Sequence, residues 1–141
     1  MTPDDEQNIG TDFQRWLGLR WGLGADQSGS FFVELQMRDD LRGPAGSLEG
    51  GVVSTLLDVA GATAAAMATG EMVATEHIAI SLLAPGREGP IRATATPLRV
   101  GRHDVVSEVK VVDHGKDDRL IATGLVTCRV LLDRDDRQAE E

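Results

Sequence analysis

The stretch that most constrains this chain is the run Gly50–Thr69, GGVVSTLLDVAGATAAAMAT, which is apolar and helix-compatible yet carries one carboxylate, Asp58. At about 100° per residue, Val52, Val53, Leu56, Leu57, Val59, Ala60, Thr63 and Met67 spread over one broad arc. Ser54, Asp58, Gly61, Ala62 and Ala65 fall on the opposite arc. A solvated helix face favours long charged helix formers such as Lys, Glu and Gln. Small residues there imply that something packs closely against that side. An acid on a crowded face suits acid/base work. The structural alternative is an Asp bonded to nearby backbone or to a hydroxyl.

The flanking sequence gives the helix something to cover. Residues 3–17 are predicted as a short helix, capped by Asp4 or Asp5, with Phe13, Trp16 and Leu17 on one face. Residues 30–38 alternate with a period of two, a half-buried strand, and LRGPAGS turns the chain toward Glu49. Gly70 suits the position just past the helix C-terminus. Strand-like runs follow at 72–83, 91–100, 104–112 and 119–132. In the first, Ile78, Ile80 and Leu82 share one face and Thr75, His77, Ala79 and Ser81 the other. One long helix cannot cover both faces of a sheet, so the expected fold class is α+β: an antiparallel sheet with the helix across one face. The uncovered face and edge strands favour an oligomer.

At 141 residues the chain is expected to form a single domain over residues 1–132, with the acidic DRDDRQAEE end, residues 133–141, as a flexible tail. The formal net charge of −9 argues against a nucleic-acid partner, which needs clustered Lys and Arg. Asp58, Ser54, Thr55 and the glycines interrupt the one apolar run long enough to span a bilayer, so no membrane partner is expected. The acidic MTPDDEQNIG start lacks the basic and apolar regions of a signal peptide, and the expected location is cytoplasmic. Cys128, the single cysteine, reads as a small core residue. His77, His103 and His114 are too scattered for a zinc site, and no metal is expected.

GPAGSLEGGVVSTLLDVAGATAA, residues 43–65, resembles the segment that defines hotdog-fold acyl-CoA thioesterases of the phenylacetate-pathway (PaaI-like) type, whose usual form is N-P-A-G-x-x-H-G-G-(x)n-L-x-D-x-A. The downstream TEHIAISLLAPGREGPIRATATPLRVGR is similar to that family's strand, Pro-containing turn and hairpin. The resemblance implies a hotdog fold, a five- or six-stranded antiparallel sheet wrapped around the central helix. It implies a homodimer with one continuous sheet, able to associate into a tetramer, and hydrolysis of acyl-CoA to free acid and CoA without a cofactor. In such enzymes the first helix glycine, here Gly50, polarises the thioester carbonyl through its backbone N–H. The helix acid of the neighbouring subunit, here Asp58, acts as general base or nucleophile, and a strand hydroxyl, here Thr75, positions water. Gly51, Gly43, Ser54, Gly61 and Ala62 are expected around the substrate. Arg102, and less so Arg87, is expected to face the CoA phosphates.

Each role has independent physical grounds. Unpaired N–H groups and a partial positive charge at a helix N-terminus stabilise a developing oxyanion, and a carboxylate in a dry cleft can activate water or attack the thioester. Two positions depart from the family pattern: Glu49 replaces its His and Gly43 its Asn. Glu49 reads either as a second acid at the site or as a residue that caps or orders the helix N-terminus. The departures motivate an alternative function, a non-catalytic acyl-CoA sensor or carrier. Hydration of enoyl thioesters ranks last, because no His follows an Asp in a suitable motif.

Overall fold

The computed structural model describes residues 10–23 and 31–132. The predicted first helix is shorter than expected there: α1 is Asp12–Leu17, and Thr11 caps it through a reciprocal box with Gln14. Residues 3–9, with the expected caps Asp4 and Asp5, lie outside the described residues, as does the tail 133–141. Gly18, in the left-handed conformation at φ 79, closes α1 after six residues. So short a helix buries only its last turn. Leu17 is buried, whereas Phe13 and Trp16 stay more than half exposed and stack on each other.

Six strands form one antiparallel sheet in the order β1-β2-β4-β5-β6-β3: β1 Arg20–Leu23, β2 Phe31–Leu35, β3 Met72–Leu82, β4 Ile91–Val100, β5 Asp104–Asp113 and β6 Arg119–Leu131. Strand β1 is absent from the pattern-based expectation, because Gly18 and Gly22 read as loop. Gly22 faces Phe32 across the β1–β2 pair, and a Cβ there would lie 2.3 Å from the ring. The glycine makes room for the aromatic, and the strand forms around that contact.

The long helix α2 spans Gly50–Thr69 as expected, with Gly70 at φ 68 donating its N–H to Ala66 O. Its length and mean hydropathy of 1.5 would suffice for a membrane span. Here it is the core helix: Val53, Leu56, Leu57, Val59, Ala60 and Ala64 are buried under a sheet face built from Val33, Leu35, Ile91, Val105, Val109, Val111 and Val126. Burying one such Leu contributes about 1.5–3 kcal/mol. The helical wheel misplaces Met67, which is 60% exposed, whereas Gly61 and Ala65 are buried, in keeping with the close packing expected on their side. A Cβ on Gly61 would come within 2.6 Å of Val126 Cβ, so this glycine is small because β6 is close.

Ser107, fully buried on the inward face of β5, has no partner for its hydroxyl among the described residues. Ser107→Ala is expected to raise stability by about 1 kcal/mol. Urea unfolding at constant m-value checks this, and a lower midpoint would refute it.

Candidate functional site

A β-bulge brings the site together. In the β3–β6 register Thr75 pairs with Cys128 and His77 with Thr127, which leaves Glu76 as the extra residue. Plain alternation puts Thr75 on the face of His77 and Ser81. The bulge instead moves Thr75 to the α2 side with Ile78, Ile80 and Leu82, whose partners are Val126, Gly124 and Ala122. There its hydroxyl donates to Asp58 Oδ1 at 2.7 Å. Asp58 thus has the hydroxyl partner that its structural alternative anticipates, supplied by Thr75, and His77 and Ser81 are on the other face of the sheet. Cys128 is in the core as expected, with Sγ 3.7 Å from Thr75 Oγ1. Burial pushes its thiol pKa up and the charges of Asp58 and Glu76 act in the same direction, against a smaller opposing effect of the Thr75 bond.

At the N-terminus of α2, Glu49 is the capping residue through its backbone, its carbonyl accepting from Val52 and Val53. Its side chain is exposed and makes no capping hydrogen bond, so Glu49 caps the helix as one of its two readings expects, through its carbonyl alone. Effective caps are short side chains, and Glu is long. The N–H groups of Gly50 and Gly51 find no acceptor among the described residues, as the first turn of a helix requires. A Cβ at Gly51 would meet nothing within 4 Å, and one at Gly50 would meet only Leu82 Cδ1 at 3.0 Å. Ser54 and Thr55 hydroxyls turn back to the carbonyls of Gly50 and Gly51. Gly43 lies in the tight turn before the helix, its N–H bonded to Ser47 O and its Cβ position 4.0 Å from Glu49 Cα.

The loop supporting this turn depends on a residue that pattern reading overlooked. Asp113 ends β5 on its buried side and accepts N–H bonds from Arg87, Glu88 and Gly89 at 2.8–3.1 Å. Burial alone would raise its pKa, but these bonds and one from Gly115 together hold it below the ordinary carboxylate value. The loop it fixes then contacts the segment entering α2. Leu48 N–H donates to Gly86 O, Arg87 donates to Ala45 O, and Arg42 donates to both Arg87 O and Gly46 O. The available signal was an acid on the inward positions of β5, in phase with Val109 and Val111.

Gly50 and Asp58 are eight residues apart on one helix, a separation of about 12 Å along the axis. The two cannot reach the same carbonyl carbon within one protomer. Ala62, one turn beyond Asp58, is half-buried. Arg102 is exposed at the β4–β5 turn, closed by Gly101 N–H to Asp104 O. Through the pairs Val100–Val105, Val105–Cys128 and Cys128–Thr75, that turn is at the Thr75 end of the sheet. Arg87 instead braces the loop before α2.

Residues 45–120 match the thioesterase superfamily. A conserved protein of Pseudomonas aeruginosa is 28% identical with a TM-score of 0.77, over 92% of this chain and 100% of that one. A Bacillus halodurans protein crystallised with CoA is 25% identical with a TM-score of 0.77, over 93% of this chain and 85% of that one. A thioesterase of Haemophilus influenzae superposes with a TM-score of 0.80 over 95% of this chain and 94% of that one, and at 23% identity it speaks for the fold. No curated protein matches the chain. The six-stranded antiparallel sheet with its single long helix is the hotdog fold.

Proposed function

The chain belongs to the thioesterase superfamily, and from that premise we propose that it hydrolyses acyl-CoA to the free acid and CoA in a PaaI-like site shared between two protomers. The observation that carries this reading is the division of the machinery along α2. Gly50 N–H has no acceptor among the described residues, Asp58 has a hydroxyl partner, and about 12 Å separates them. A second copy placed antiparallel supplies the missing half of each site.

The surface for that copy is the β3 edge, eleven residues long and without a strand partner on its outer side among the described residues, with Met72 74% and Leu82 56% exposed. An unpaired edge of this length is a template for strand pairing. In the proposed dimer, the thioester carbonyl oxygen accepts from Gly50 N–H with Gly51, Gly43 and Ser54 nearby. The partner subunit's Asp58, oriented by its Thr75, activates water or attacks the carbonyl carbon. In the water route the tetrahedral species collapses with loss of the C–S bond, and Asp58 passes the proton it took from water to the departing CoA thiolate. In the attack route the C–S bond breaks to leave CoA thiolate and a mixed anhydride on Asp58, and water then hydrolyses that anhydride to the free acid, restoring the carboxylate and supplying the proton that CoA takes up. Arg102, at the Thr75 end of the sheet, is proposed to face the CoA phosphates. No metal or redox cofactor takes part in this scheme. The Bacillus halodurans relative crystallised with CoA supports the substrate class.

Thiol release measured over a panel of short, branched, aryl-acetyl and medium-chain acyl-CoAs tests the reading, and turnover of at least one member is expected. Glu49 and Gly43, where the family pattern has His and Asn, favour a second reading as an acyl-CoA sensor or carrier. Calorimetric binding of an acyl-CoA with no thiol release from any member would establish that reading instead.

A further inference from the structure

We propose that Cys128 is a positioning residue for Asp58: its S–H donates to Thr75 Oγ1, which keeps the Thr75 proton on Asp58 Oδ1 and leaves Oδ2 for water or thioester. The proposal rests on the reading of Asp58 as the reacting carboxylate. It follows from proton counting. A threonine hydroxyl has one proton and two lone pairs, and an ionised carboxylate only accepts. At 2.7 Å from Oδ1 the Thr75 proton is committed to Asp58. The contact of the same oxygen with Cys128 Sγ, at 3.7 Å, therefore has the thiol as donor.

The chemistry of position 128 fits that role. Cys128 is fully buried, and its raised pKa keeps the thiol protonated at neutral pH. Sulfur is a weak acceptor, so it does not compete with Asp58 for the Thr75 proton as a serine oxygen would. The bulge at Glu76 sets the geometry, since it places Thr75 opposite Cys128 and on the α2 side.

Because Cys128 is the single cysteine, the S–H stretching band in the infrared spectrum reports on it alone. The band is expected at the lowered frequency of a donating thiol in the wild type and in Thr75→Ser, and at a higher frequency in Thr75→Val. Cys128→Ala is expected to lower kcat roughly two- to tenfold with KM unchanged. A band unmoved by Thr75→Val, or an unchanged kcat in Cys128→Ala, overturns the proposal. The infrared measurement needs no turnover, so it separates failure of this inference from failure of the hydrolase reading.

Discussion

Asp58→Asn is expected to lower kcat for thiol release by about 10²- to 10⁴-fold, the range for loss of a positioned base, with KM within about twofold of wild type. The amide oxygen can still accept the Thr75 hydroxyl at the position now held by Oδ1. What disappears is the capacity to take a proton or to attack carbon. Gly50→Pro removes the other half of the site, the N–H donor, and keeps the helix, because proline is favoured at the first helical position and its Cβ meets only the exposed, flexible tip of Leu82, which must shift slightly. Glu49, at φ −62 and ψ 137, already has the extended conformation that a following proline demands. Losing that donor is expected to cost about 10²- to 10³-fold in kcat. Mixing the two inactive variants should then restore about a quarter of wild-type activity, since random pairing in a two-fold dimer makes half the dimers mixed, each with one intact site. A mixture as inactive as its components would show that Gly50 and Asp58 do not serve one thioester from two chains.

The elements read from sequence and those missed differ in what fixes them locally. Helix α2 was legible to the residue because twenty helix-compatible residues end in Gly70, whose left-handed conformation is itself a local signal. Strands β4, β5 and β6 were legible from alternation. Strand β1 was not, because its Gly22 is explained only by Phe32, ten residues away in sequence. The Glu76 bulge leaves no trace in a run of strand-compatible residues, so alternation placed Thr75 on the wrong face while the resemblance still put it among the site residues. The wheel showed that the side of Gly61 and Ala65 is crowded but could not name what packs there, because the neighbour of Gly61 is Val126 of β6, sixty-five residues on in sequence.

Asp113 is where fold and site depend on the same bonds, and it carries the largest stability prediction. Its carboxylate is buried and satisfies three N–H groups of residues 87–89. Asp113→Ala strands those donors in the interior, at an expected cost of about 3–5 kcal/mol. Asp113→Asn keeps the shape, but its NH₂ confronts backbone N–H groups and it should lose somewhat less. The pH dependence follows from the lowered pKa. A carboxylate held below its unfolded value of about 3.9 contributes stability that is fully present above that pH and is lost as pH falls through the folded value. Wild type and Asp113→Asn should therefore differ most near neutrality and converge below about pH 4. Urea unfolding of both proteins across that range checks this, and a gap that widens in acid would contradict it. The loop released in these variants bonds through Gly86, Arg87 and Arg42 to the segment entering α2. Loss of Asp113 should for that reason loosen the backbone around Gly50 before the sheet itself unfolds, with amide exchange at residues 45–49 accelerating ahead of exchange in β5 and β6.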